Sequence, residues 1–177
     1  MTRPPMDERY SGVAIALHWI IALGVLTNFA VVLIPGFPVG MPGHKAIGVT
    51  VLFLTLARVA WRIGHRAPPL PAGTPGWEKG LAHATHGLLY LLLIAMPLTG
   101  WMMASRPEKR RPLEWFGTFD IPYLPVSTPT GQFGHDAHGP IGWLMLALVV
   151  LHIAAALRHH FLLRDTVLAR MIPALRR

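Results

Sequence analysis

Residues 138–163 read HGPIGWLMLALVVLHIAAALRHHFLL. From Ile141 to Leu163 only His152, Arg158, His159 and His160 interrupt an apolar run, and the run has the length of about 20 residues that a helix needs to cross a bilayer. Three further stretches of this kind lie upstream, Val13–Ile34, His44–Trp61 and Leu81–Ala104. The link Pro35–Gly43 is short and rich in turn residues, so the first two spans form an antiparallel hairpin; Pro68–Gly76 breaks the chain again before the third. A longer loop, about Ser105–Gly134, precedes the last span and carries a second cluster of charge. The expected fold is all-α, an integral membrane four-helix bundle forming one domain over residues 1–177, with helices near 12–34, 44–64, 80–104 and 137–163. The first apolar run is longer than the h-region of a leader and no A-x-A site follows it, so it is read as a retained span.

Composition agrees. The chain of 177 residues is 53% hydrophobic and 14% charged, whereas soluble domains carry about 25% charged residues. The net charge of +8 does not make a nucleic-acid surface, because the basic residues avoid the apolar runs and cluster at their ends. Arg3, Arg9, Arg58, Arg62, Arg66, Lys79, Arg158, Arg164, Arg170, Arg176 and Arg177 fall on one side of the expected membrane, and Lys45, Arg106, Lys109, Arg110 and Arg111 on the other. The excess of Lys and Arg marks the cytoplasmic side, so both termini are expected in the cytoplasm. Cysteine is absent, which excludes disulfides, Cys-ligated zinc, iron–sulfur clusters and covalent c-type haem.

Ten histidines outnumber the eight acidic residues. Ionisable groups inside a bilayer are costly and are retained for function, so their positions carry information. His138 and His152 are 14 residues apart, which on a helix is about 21 Å of rise and about −40° of rotation. They share one face, one near each leaflet. His44 opens the second span level with His138, and His18 lies about two turns into the first, at a depth that meets His152. Two cross-helix pairs follow, His44 with His138 and His18 with His152. Bis-imidazole ligation from facing helices suits haem iron. Four residues after each of these histidines stands a small residue, Ala22, Gly48, Gly142 and Ala156, the gap a flat porphyrin needs one turn from its ligand. Arg58 follows His44 by the same 14 residues; it suits a haem propionate, or else ends the helix at the lipid interface. His83 and His86 open the third helix, as alternative ligands to His18 or as interfacial residues. His135, His65, His159 and His160 are expected at the surface. Pro140 follows His138 closely; if Asp136 caps the helix the proline falls at its first turn, and an earlier start would alter the azimuth of His138.

The motifs Ala16-Leu17-His18-Trp19, Gly43-His44-Lys45, Leu81-Ala82-His83-Ala84-Thr85-His86, Leu151-His152 through His159-His160-Phe161, and the tail Leu168–Pro173 occur in this order over nearly the whole chain. In this the sequence resembles the bacterial cytochrome b561 proteins, small four-helix di-haem membrane cytochromes that include superoxide oxidase. The resemblance implies two haem b groups with axial ligands at His18, His44, His138 and His152. It further implies superoxide as donor at the outer haem, ubiquinone as acceptor, and a multi-pass protein of the bacterial inner membrane. Lys45, Arg106, Lys109, Arg110 and Arg111 are candidates for steering superoxide, against the alternative of a solvated loop in which Glu108, Glu114, Asp120 and Asp136 cancel most of the field. Trp19 and His159 are candidates for the quinone pocket. The main alternative function is an electron-transfer subunit linking the quinone pool to a periplasmic cytochrome or dehydrogenase. A metal transporter fits less well, because transporters gather substrate ligands near the midplane and these histidines form two layers.

Overall fold

The computed structural model describes residues 10–65, 67–71 and 73–175. Arg3, Arg9, Arg66, Arg176 and Arg177, which contribute to the expected sidedness, lie outside the described residues, as do both ends of the expected domain. Helix α1 (Gly12–Leu33) starts where the Ser11 hydroxyl accepts from the backbone N–H of Ala14 at 3.2 Å, a hydroxyl N-cap. Gly36 at φ +75° and Gly40 at φ +61° turn the chain back, in a region where a β-carbon is disfavoured. Helix α2 (Gly40–Gly64) follows, and α3 (Gly76–Ala104) begins directly after Pro75.

At the end of α3 the buried Ser105 hydroxyl accepts from the N–H of Leu124 at 2.9 Å. This folds the intervening loop over the bundle. The loop holds a 3-10 turn (Pro107–Lys109) and a small antiparallel hairpin, β1 (Glu114–Trp115) with β2 (Phe119–Asp120), Trp115 opposite Phe119. The Trp115 indole donates to Thr50 Oγ1 and the Trp101 indole to the Pro122 carbonyl, both at 3.0 Å. Leu113 and Ile121 bury against Val49 and Ala104 beneath the hairpin.

Helix α4 runs Thr128–Arg158 and continues as a π turn, His159–Leu163, which Arg164 ends in the left-handed region at φ +52°. It starts at Thr128, well before the expected residue 137, because the Ser127 hydroxyl accepts from the Thr130 N–H and Pro129 sits harmlessly in the first turn. At 31 residues it is about 46 Å long against a hydrocarbon core of about 30 Å. Gln132, His135 and Asp136, which read as loop, therefore stand on helix above the apolar layer. Asp136 is not the cap; its carboxylate accepts from Gln132 Nε2 at 2.7 Å, and Pro140 lies inside the helix. Helices α2 and α3 likewise begin at Gly40 and Gly76 rather than near 44 and 80. The tail returns under α1, where the Trp19 indole donates to the Met171 carbonyl at 2.8 Å.

All four long helices are apolar enough to cross a membrane. Consecutive helices pack closely, while α4 keeps its backbone further from α1 and α2. Ile21 and Val25 of α1, Val51 of α2, Leu92 of α3 and Met145 of α4 form the central core. The outward faces are apolar too: Leu23 is 68% and Leu91 60% exposed, as expected of surfaces that meet lipid rather than water. At the crossing of α3 and α4, Gly134 lies so close that a β-carbon there would stand 2.7 Å from the Thr99 carbonyl oxygen. Small residues permit such approaches between membrane helices.

Candidate haem sites

The histidines occupy two levels of the bundle. Toward the end carrying the hairpin loop, His44 of α2 faces His138 of α4 with ring centres 6.2 Å apart and planes at 77°. Toward the other, terminal end, where α1 begins and α4 ends, His18 of α1 faces His152 of α4 at 6.3 Å and 69°. The central core separates the levels: Met145 is midway along α4 between His138 and His152, and Val51 midway along α2 between His44 and Arg58.

An ion clasped in line between two imidazoles sets their ring centres about 6.3 Å apart, from metal–nitrogen bonds of about 2.0–2.1 Å and about 1.1 Å from nitrogen to ring centre. Both pairs have this separation. His86 stands 5.4 Å from His152, too near for an ion in line between them, so the terminal-end level holds a third imidazole beside the spaced pair.

At the loop end His44 and His138 line a cavity of about 190 Å³, with an apolar interior of the kind that cofactor pockets have. Val25, Phe29, Val51, Leu93 and Met145 supply its apolar wall. Two expected small residues, Gly48 and Gly142, line it; a β-carbon at either would meet nothing closer than Asn28 Nδ2 at 3.8 Å or Met96 Cε at 3.5 Å. Present packing does not require glycine there, whereas a flat group against each helix does. Asn28 Oδ1 is buried without a partner among the described residues, so the cavity contains an unused polar atom. These features fit a porphyrin.

Sequence reasoning did not single out Thr99 and Gly100 on α3. Thr99 Oγ1 is 3.0 Å from His138 Nδ1, and a β-carbon on Gly100 would approach His138 Cε1 to 3.1 Å. The available signal was Pro97-Leu98-Thr99-Gly100, a proline and a hydroxyl in mid-span, but only the crossing of α3 with α4 brings them to His138.

Arg58 points inward. Its Nε donates to the Tyr90 hydroxyl at 3.0 Å and its Nη1 to the Ala14 carbonyl at 2.6 Å, joining α1, α2 and α3 near His18. Of the expected quinone residues, Trp19 is held by Met171, and His159 Nδ1 lies 2.5 Å from Asp165 Oδ2, so both contact the returning tail. His83, His65 and His135 are engaged locally, with the Lys79 carbonyl, the Trp61 ring and carbonyl, and Asp136 respectively. Among the loop cations, Lys45 Nζ donates to the Pro112 carbonyl at 2.5 Å, Arg106 donates to Gln132, and Arg110 lies over the Tyr123 ring at 5.1 Å. Lys109 and Arg111 are exposed. Among the described residues, none of the five is within ion-pair distance of a carboxylate.

Four apolar helices with imidazoles facing one another at two depths, in a chain without cysteine, are an arrangement that suits a membrane cytochrome of the b type. The family model for prokaryotic cytochrome b561 matches residues 9–174. Cytochrome b561 homolog 2 of Escherichia coli (strain K12) is 34% identical over 175 residues, covering 93% of this chain and 92% of that protein. The probable superoxide oxidase CybB of Yersinia pestis is 28% identical over 181 residues, 95% of this chain and 98% of its own length. Cytochrome b562 of Cereibacter sphaeroides is 30% identical over 185 residues, covering 97% and 98%. The chain belongs to the prokaryotic cytochrome b561 family. It is therefore a haem b-binding electron-transfer protein, multi-pass in the bacterial inner membrane.

Proposed function

We propose that the chain is a di-haem cytochrome that takes electrons from superoxide at the loop end of the bundle and delivers them to ubiquinone. The observation that carries this reading is the pair of facing histidines at each level, His44 with His138 and His18 with His152, each with the separation an iron needs. A relative at 28% identity is named as a probable superoxide oxidase. When bound, two haems supply a one-electron relay between the faces of the membrane.

The chain's own residues do the rest. The four imidazoles hold the irons, Gly48 and Gly142 leave the porphyrin face clear, and Arg58 retains N–H groups beyond those given to Tyr90 and Ala14 for a propionate. The basic residues around the other end orient the loop end to the periplasm, with both termini cytoplasmic. Lys45 and Arg106 hydrogen-bond to neutral acceptors; Glu114 acts on Lys45, and Glu108 and Asp136 on Arg106, so attraction of a small anion rests on the excess that Lys109, Arg110 and Arg111 add. Two superoxide anions each give up one electron and leave as dioxygen; one ubiquinone takes both electrons and two protons. His159, held by Asp165 at 2.5 Å, is the residue assigned to exchange protons with the quinone.

The test is anaerobic mixing of the purified protein with superoxide and a soluble quinone, followed by haem absorbance. Haem reduction by superoxide and its reoxidation by quinone is the expected result; no reduction by superoxide would refute it. The exposed rings of Phe116 and Phe119 at the hairpin favour a second reading, a cytochrome subunit that docks a periplasmic cytochrome or dehydrogenase and links it to the quinone pool. Copurification with such a partner, in the absence of superoxide reactivity, would support it.

A further inference from the structure

We infer that Thr99 is a positioning residue for the loop-end site, holding His138 in the tautomer that presents Nε2 to iron, while Gly100 sets the lie of the ring. The inference rests on the ligand assignment just proposed. Thr99 is buried, and its Oγ1 lies 2.8 Å from the Met96 carbonyl oxygen and 3.0 Å from His138 Nδ1. A carbonyl only accepts, so the single hydroxyl proton goes to Met96. Toward His138 the hydroxyl can then only accept, as does the Met96 carbonyl that also reaches the ring, and with these two acceptors beside it the proton of the neutral imidazole resides on Nδ1. Nε2 keeps the lone pair.

Gly100 contributes by having no side chain. The ring of His138 lies against it, and a β-carbon would stand 3.1 Å from Cε1 and 3.5 Å from Nδ1. The partner ligand is treated differently: among the described residues no hydroxyl is bonded to His44, which meets the backbone of Asn28 instead. An acceptor on Nδ1–H makes an imidazole the stronger donor and stabilises the oxidised metal. The two ligands of this site are therefore unequal, and Thr99 lowers the potential of one haem only.

The experiment uses the haem-loaded protein in detergent, with Thr99→Val, Thr99→Ser, Gly100→Ala and His138→Ala. Haem content, potentiometric titration and low-temperature electron paramagnetic resonance are measured on each. Thr99→Val keeps the shape and removes the hydroxyl acceptor, leaving the ring only the Met96 carbonyl; it raises the midpoint potential of one haem, leaves the other unchanged, and speeds loss of the affected haem on the order of ten-fold. Thr99→Ser restores the wild-type potential. Gly100→Ala alters the low-spin signal of the same haem, because the angle between the imidazole planes, 77° here, governs the splitting of the iron d orbitals.

A Thr99→Val protein that titrates like wild type, while His138→Ala lacks one haem, overturns the role of Thr99 and leaves the ligand assignment standing. His138→Ala retaining both haems sinks the assignment itself. If Thr99→Val does not assemble, Thr99→Ser decides: a normal potential supports the inference, and failure of serine as well shows a packing role and overturns it.

Discussion

Gly134→Ala adds one methyl group where α4 crosses α3, and the structure gives its consequences. The new β-carbon would lie 2.7 Å from the Thr99 carbonyl oxygen, 2.8 Å from Met102 Cβ and 3.0 Å from Met103 N. Carbon contacts are comfortable at about 3.5 Å, and two of the three neighbours are backbone atoms that cannot rotate away. Relief requires α4 to move off α3 by roughly 0.6 Å, with the cost of about 1–3 kcal/mol typical of overpacking. The same displacement stretches the 3.0 Å contact between Thr99 and His138 to about 3.6 Å, beyond hydrogen-bonding distance. Thermal unfolding in detergent, followed by Soret absorbance, is the assay. The melting temperature should fall by about 2–4 °C for each kcal/mol, and the haem that responds to Thr99→Val should shift in potential in the same direction. Gly80→Ala is the control, since nothing lies within 4 Å of a β-carbon there and the helix should gain about 0.5–1 kcal/mol. A Gly134→Ala protein melting at or above wild type, with both potentials unchanged, would refute the view that this crossing sets the position of His138.

Replacing His44 by alanine should remove one haem b and leave the other reducible, replacing His18 should remove the second, and pyridine haemochrome analysis counts what remains. The rate of haem reduction by superoxide should fall as ionic strength rises, since exposed charges are screened over about 8–10 Å at 0.1–0.15 M salt; a flat response in stopped-flow would show that the five loop cations do not steer. Arg58→Met leaves the Tyr90 hydroxyl and the Ala14 carbonyl without their donor and should destabilise the bundle by about 1–3 kcal/mol, read as a lower melting temperature. The Glu108 carboxylate, outside the apolar layer, is held below its usual 4.5 by the Thr128 hydroxyl. Its depressed value means that the contact contributes at pH above 4.5 and is lost as pH falls through the folded-state value. Thr128→Val should move the titration up toward the ordinary carboxylate range, with the Glu108 backbone N–H and Arg106 still lowering it, measured by carbon NMR of labelled glutamate.

The two histidine levels were legible because one helix carries both marks. His138 and His152 share a face at a spacing of 14 residues, and helix geometry is the same in any context, so their relative azimuth needs no tertiary information. The pairing with His44 and His18 required only antiparallel neighbours, which the short turn Pro35–Gly43 enforces. The start of α4 was not legible. Gln132, His135 and Asp136 look like loop when every polar residue is assigned outside the helix, yet a helix longer than the membrane is thick can carry them in water. Ser127 and Pro129 were the overlooked signals.

Sequence alone determined the class of molecule, since apolar runs of bilayer length have no other stable place and a cysteine-free chain can hold haem only through side chains such as its buried histidines. It also determined which imidazoles lie at which depth, because rise per residue is a property of the helix itself. Only the tertiary structure decided what touches those imidazoles from the neighbouring helix. The contact of Thr99 and Gly100 with His138, the inward turn of Arg58 to Tyr90 and Ala14, and the return of the tail beneath Trp19 depend on how two helices are rotated and how closely they cross. Those quantities come from the fit of many side chains at once, and no local pattern in the chain encodes them.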